Sequence, residues 1–406
     1  MEKAGKSFMT YNLRKFTVSL SLLLIISARL TAQEPILLSY ERNFVRAGLA
    51  AKAGILRDAA TDERSGEFMG PLYEFALKFI LDNGELLRDD PDMIALASFA
   101  ARGAGSTGLK ASTDTLWKIF TLYRDSYSRV EILGALGKLG TGNTRVIENL
   151  NQFLANQNSS FRSGMVPDYP TLTACISALA ELGDASSFPA LFSVAAAAYP
   201  QSVIQGAITA LESIQGNYKQ YLIEVIRRNP PAEKFAAFRI GVNNSKFTET
   251  ERGELAQTAL EATMDLFPAN AESSAAASSL RYAAVQSLKE LRWTRASPLV
   301  IRHFYRVQTD YANAAVPRDR LLEAIACLGA MGNSESAQVL VMQLGYFNSQ
   351  KERNGESDEA VITALIKALG EIGDKIAFDY LLYISYLNYP ESIQAAAREA
   401  LNRLKW

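Results

Sequence analysis

Two stretches decide the fold. They are Ala178-Leu179-Ala180-Glu181-Leu182-Gly183-Asp184 and, 190 positions later, Ala368-Leu369-Gly370-Glu371-Ile372-Gly373-Asp374. In each, small residues let two helices approach while the larger apolar ones fill a shared core. A glycine can then take the left-handed conformation that closes a helix. The aspartate beyond it can cap the next helix. Related endings occur at Ala135-Leu136-Gly137-Lys138-Leu139-Gly140 and at Cys327-Leu328-Gly329-Ala330-Met331-Gly332-Asn333. Weaker copies lie at Ala95-Leu96, Ala210-Leu211, Ser287-Leu288 and Ala400-Leu401.

Outward from these endings, Ala- and Leu-rich runs carry apolar residues three and four apart. Short breaks with Gly, Asn or Pro separate them. Alternating β-branched runs between tight turns are scarce, so the expected fold class is all-α. The endings resemble the HEAT-like helical repeats, in particular the short subtype whose helices end in A-L-x-x-L-G-D. The resemblance covers most of residues 91–406 and is strongest around Leu136, Leu179 and Leu369. It implies helix pairs stacked into an α-α superhelix, a solenoid whose usual role is protein–protein interaction. A few relatives attach bilin pigments; no residue here points to that activity.

The anchor leucines fall at 96, 136, 179 and 211, then at 288, 328, 369 and 401. Their spacings are 40, 43 and 32, then 40, 41 and 32. Periods near 40 residues fit two-helix solenoid units. Aligned without gaps, residues 170–211 and 360–401 match at sixteen of forty-two positions, including Phe188 with Phe378 and Tyr199-Pro200 with Tyr389-Pro390. The expectation is a tandem duplication, with halves meeting near residue 220. Its parts are a leader (1–32), a divergent helical segment (33–90), a first repeat block (91–216), a second divergent segment (217–279) and a second block (280–406). Loops at 157–169 and 348–357 interrupt the two halves at equivalent places.

The chain has 406 residues, 48% hydrophobic and 21% charged, enough to bury a large core. Arg14 and Lys15 precede the apolar run Thr17 to Ala28, which reads as a signal peptide cleaved after Ala32. A spanning helix needs roughly 20 apolar residues, and no later segment reaches that. The leader holds five basic residues and one acid, so removing its net +4 from the formal −1 leaves −5. Such a balance disfavours nucleic acid as a partner. The expected location is the periplasm, or outside the cytoplasm more generally.

Recognisable chemistry is sparse. The single histidine, His303, has neither cysteine near it in sequence, so no zinc pattern forms. It reads as a surface or helix-packing residue. No phosphate-cradling loop or nucleophile elbow occurs. Neither cofactor nor metal is expected, and no enzyme activity. Cys175 and Cys327 lie in apolar helical patterns and read as buried free thiols. Two candidate surfaces for a protein partner remain. Arg292, Arg295, Arg302 and Arg306 cluster with Trp293, Phe304 and Tyr305, and Arg302 and Arg306, four apart, share a helix face. Tyr380 and Tyr383, with Tyr386, form a stripe that the polar last helix is expected to cover. The leading functional expectation is an exported, non-enzymatic scaffold. The alternatives are a structural subunit of an envelope assembly, and a small-ligand carrier or enzyme with a pocket near His303.

Overall fold

The computed structural model describes residues 35–266, 269–355 and 358–405. The leader expected at 1–32 lies outside the described residues. The described chain is all-helical, with 20 α-helices and no strand. It divides into two compact units, and the boundary falls between Gly216 and Asn217.

The first unit comprises α1 (35–46), α2 (Leu49–Thr61), α3 (Gly70–Leu87), α4 (Pro91–Ser106), α5 (Thr113–Leu122), α6 (Ser126–Leu139), α7 (Thr144–Arg162), α8 (Tyr169–Leu182), α9 (Phe188–Ala195) and α10 (Gln201–Ser213). From α2 onward, the even-numbered helices pack one against the next. So do the odd-numbered ones from α3, and each of α3, α5, α7 and α9 packs on the even helix that follows it. The result is two rows of helices with the core between them.

The second unit comprises α11 (Tyr218–Arg228), α12 (Pro231–Val242), α13 (Glu249–Met264), α14 (Ala271–Glu290), α15 (Ser297–Ala312), α16 (Arg318–Met331), α17 (Ser334–Glu352), α18 (Glu359–Ile372), α19 (Phe378–Tyr383) and α20 (Glu391–Asn402). It has the same two rows in the same order. The segment boundary drawn at 279/280 falls inside α14.

The repeated endings produce this packing directly. Leu96, Leu136, Leu179, Leu211, Leu288, Leu328 and Leu369 are all fully buried; Leu401 is half-buried. A methyl group on Gly137 would sit 3.0 Å from the Ala178 Cα, and one on Gly329 would sit 3.0 Å from the Ala368 Cα. Those two glycines set how closely α6 meets α8 and α16 meets α18. Gly183, Gly332 and Gly373 end their helices in the left-handed region, at φ 61°, 66° and 69°. Gly140 does not, and the left-handed residue of that turn is Gly142. Asp184 and Asp374 accept from the backbone N–H two residues on, and Asn143 and Asn333 cap α7 and α17.

Equivalent polar devices are buried in both units. Asn158 Nδ2 donates to the Ala190 carbonyl at 3.1 Å, and its Oδ1 accepts from the Tyr199 hydroxyl at 3.0 Å. In the second unit Asn348 Nδ2 donates to the Tyr380 carbonyl at 3.1 Å, and its Oδ1 accepts from the Tyr389 hydroxyl at 3.2 Å. The register is the same 190-residue shift. Both asparagines fall within the loops expected at 157–169 and 348–357, but α7 runs to Arg162 and α17 to Glu352, so each connection begins later than expected. A buried amide whose partners are all fixed locks α7 to α9, and α17 to α19, at one register.

The divergent segments share a device too. The buried Lys52 on α2 donates to the Phe44 carbonyl at the end of α1. The buried Lys234 on α12 donates to the Ile226 and Arg227 carbonyls at the end of α11, at 2.5 and 2.6 Å. Each lysine lies eight residues after its first acceptor. A cation there answers the unpaired carbonyls and the negative end of the helix dipole. Burial pulls both lysine pKa values down from the ordinary amine value.

Candidate functional site

The tyrosine stripe is not covered. Tyr380 and Tyr383 on α19 are exposed, and Tyr386, in the turn after it, is 75% exposed. α19 and its following turn pack on α20, and the residues they bury completely are Leu381 and Ile384 rather than the tyrosines. Tyr380 lies over Gly345 of α17, where a methyl group would come within 2.9 Å of its ring. Tyr383 donates its hydroxyl to Glu352 at 3.1 Å, which raises its pKa and keeps it a phenol. Met342 and Tyr346 on α17 and Ile376 before α19 are also exposed. Six apolar or aromatic residues thus stand on the solvent side of α17 and α19.

The first unit has the same backbone elements without this surface. At the matching positions, 190 residues earlier, it carries Gln152, Asn156, Ser186, Ala190, Ser193 and Ala196. The equivalent positions therefore differ: in the first unit they are polar or small, with Ala190 buried, and in the second they are exposed tyrosines with a methionine and an isoleucine. Tyrosine and methionine suit contact surfaces, because a large apolar body comes with few rotatable bonds or with an adaptable chain.

The arginine segment is tied largely to α13, and its four arginines remain exposed. Trp293 donates from its indole N–H to Gln257 Oε1 at 2.9 Å, and its ring covers Gly253, so it is anchored on α13. The Arg295 guanidinium lies 5.2 Å over the Trp293 ring. Arg302 pairs with Asp265 at 3.2 Å, and Arg306 donates to the Met264 carbonyl at 2.7 Å. Both thus serve the C-terminal end of α13, where cations are favoured. The Arg302 pair is largely solvated and contributes little to stability. Arg292 is exposed, in a left-handed backbone conformation at φ 47°.

His303 is not at the surface. It is fully buried in α15, edge-on to Tyr282 of α14 with ring centroids 5.9 Å apart. Neither ring nitrogen makes a hydrogen bond. Burial, then the charges of Arg281 and Arg306, push its pKa down to about 3, so it is neutral at pH 7. Cys175 and Cys327 are buried free thiols that donate to the Leu150 and Val285 carbonyls at 3.7 and 3.6 Å. Among the described residues, no group of His, Cys, Asp and Glu is arranged to hold a metal ion. Nor is any described helix long and apolar enough to cross a membrane.

A groove of about 620 Å³ runs between α8 and α10, lined by Ser177, Glu181, Ser202, Gln205 and Thr209 among others. It is wide open and has no buried polar group facing it. No protein-family model matches the chain, and no curated protein is significantly similar to it.

Proposed function

We propose that this chain is an exported, non-enzymatic scaffold of HEAT-like helical repeats, which binds a protein partner through the tyrosine face on α17 and α19. The contrast between the units carries this function. The same two helices face solvent in both, yet only the second unit replaces Asn156, Ser193 and Ala196 with Tyr346, Tyr383 and Tyr386. The first unit folds with small or polar residues at these positions, and desolvating the exposed parts of the tyrosine rings against a partner is favourable. The partner's own surface would be apolar, with donors and acceptors for the phenol groups at its rim.

The solenoid reading is supported by the two-row packing within each unit and by the buried anchor leucines. The export reading rests on the basic and apolar run of residues 14–32. Fractionation of the native host would find the chain outside the cytoplasm with its N-terminus near residue 33; a cytoplasmic chain retaining residues 1–32 would overturn export.

Binding is tested by giving the second unit the first unit's residues: Tyr380→Ala, Tyr383→Ser and Tyr386→Ala together. The first unit folds with these side chains, so the variant is expected to fold. Wild type captured from the native envelope is expected to bring down a stoichiometric partner that the triple variant loses. Equal recovery by both would contradict the assignment.

A further inference from the structure

A cluster of unpartnered polar side chains lies buried between α14, α15 and α16. His303 is fully buried, Tyr282 is 7% exposed and Arg281 9% exposed. Both nitrogens of His303, the hydroxyl of Tyr282 and the Nε of Arg281 make no hydrogen bond of good geometry. The Tyr282 hydroxyl and the Arg281 guanidinium do act on each other, through charge and a side-chain contact that favours the charged arginine, whereas both His303 nitrogens have no partner. Buried polar groups normally have partners, so a fully orphaned imidazole beside open hydrogen-bonding positions on Tyr282 and Arg281 points to a ligand.

The first unit shows that the fold does not need a histidine at this position. Thr113, Leu116, Ile119 and Phe120 of α5 match Ser297, Val300, His303 and Phe304 of α15 in burial and order. Thr113 and Ser297 even accept the same bond, from Asn143 Nδ2 at 3.2 Å and Asn333 Nδ2 at 2.7 Å. Where the second unit buries His303, the first buries Ile119.

The surrounding charges indicate what the ligand is. The Arg281 guanidinium lies 5.2 Å from the Tyr282 ring and that of Arg320, on α16, 3.9 Å from it. Arg306, one turn along α15 from His303, adds a third positive charge and reaches solvent. Glu323 pairs with Arg320 at 2.9 Å, and Asp310 acts on Arg281. Three arginines against two acids leave one positive charge. Arg281, Tyr282 and neutral His303 can each donate one N–H or O–H. A carboxylate carries one negative charge and only accepts, with room for three or more donors on its two oxygens.

We propose that α14, α15 and α16 form a binding site for a small carboxylate, with Arg281, Tyr282 and His303 as its donors and Arg306 and Arg320 at its solvent side. The site stands apart from the tyrosine face and does not depend on it.

Because His303 is the only histidine in the chain, its imidazole can be observed alone. The full chain, labelled with ¹⁵N-histidine, is titrated at pH 7 with sodium acetate and separately with sodium chloride at matched ionic strength. The expected result is a saturable shift of the imidazole resonances with acetate and none with chloride. Tyr282→Phe keeps the ring and removes one donor, so its acetate midpoint should rise several-fold. Absence of a saturable shift, an equal response to chloride, or a Tyr282→Phe variant that titrates like wild type would overturn the site. If Tyr282→Phe does not fold, the comparison of acetate with chloride on the wild-type chain decides alone.

Discussion

His303 sits where an aliphatic residue would serve the core better. An imidazole held neutral without partners has lost its water and gained no bond, at a cost of about 1–3 kcal/mol. Replacing it with the residue the first unit uses, His303→Ile, should therefore raise the chain's stability by about 1 kcal/mol, read as a higher urea midpoint. A lower midpoint would mean that the imidazole has a partner after all. The pH dependence has a definite sign. The folded pKa, about 3, lies below the ordinary value of 6.5. The unfolded chain therefore binds the proton first, and stability falls as pH drops from about 6.5 towards 3. His303→Ile should flatten that part of the stability curve, which thermal melts across the range will show. Asn158 and Asn348 make the opposite case, since every polar atom of each amide group has work. Asn348→Leu strands the Tyr380 carbonyl and the Tyr389 hydroxyl and should cost about 2 kcal/mol. Asn158→Leu should cost a similar amount, because its partners are the same in kind.

At the scale of elements, the spacing of helices is set by glycine against alanine. Gly329→Val would push a side chain into the Ala368 backbone, for a cost of about 1–3 kcal/mol from overpacking. Denaturant unfolding checks this, and an unchanged midpoint would show that α16 and α18 can separate freely. These contacts were legible in the sequence because the endings repeat the same small and large residues at fixed offsets. Left-handed closure at Gly183 and Gly373 was legible for the same reason. Gly140 was misleading: its turn has a second glycine, Gly142, that takes the strained position instead. The connection expected at 157–169 begins later in the structure, although Asn158-Ser159-Ser160 has loop composition. A buried bond to the Ala190 carbonyl overrides that propensity, and sequence alone does not reveal such a partner. The lysine devices at Lys52 and Lys234 were hidden likewise, since the segments around them share few residues. The tyrosine stripe was visible by its spacing of three, but not its exposure. Its helix, α19, is only six residues long, and its burial is decided by Leu381 and Ile384 rather than by the tyrosines.

At the scale of the whole molecule, two units, each with ten α-helices among the described residues, share their order, their anchor leucines and two kinds of buried polar device. Where contacts run between neighbouring helices, each unit holds most of its own stabilisation. Residues 35–216 and 217–405, produced separately, should each give a helical spectrum and a cooperative melt; a fragment that stays unfolded alone would show that the units depend on one another. The units differ where solvent begins. One presents asparagine, serine and alanine, the other tyrosines, and this difference is the basis for assigning a partner to the second unit. The most direct measurement places a photo-crosslinking residue at position 383 and, in a separate chain, at the matching position 193, in the native host. The account predicts one defined protein adduct from position 383 and none from position 193. Adducts of equal yield and identity from both positions, or from neither, would contradict it.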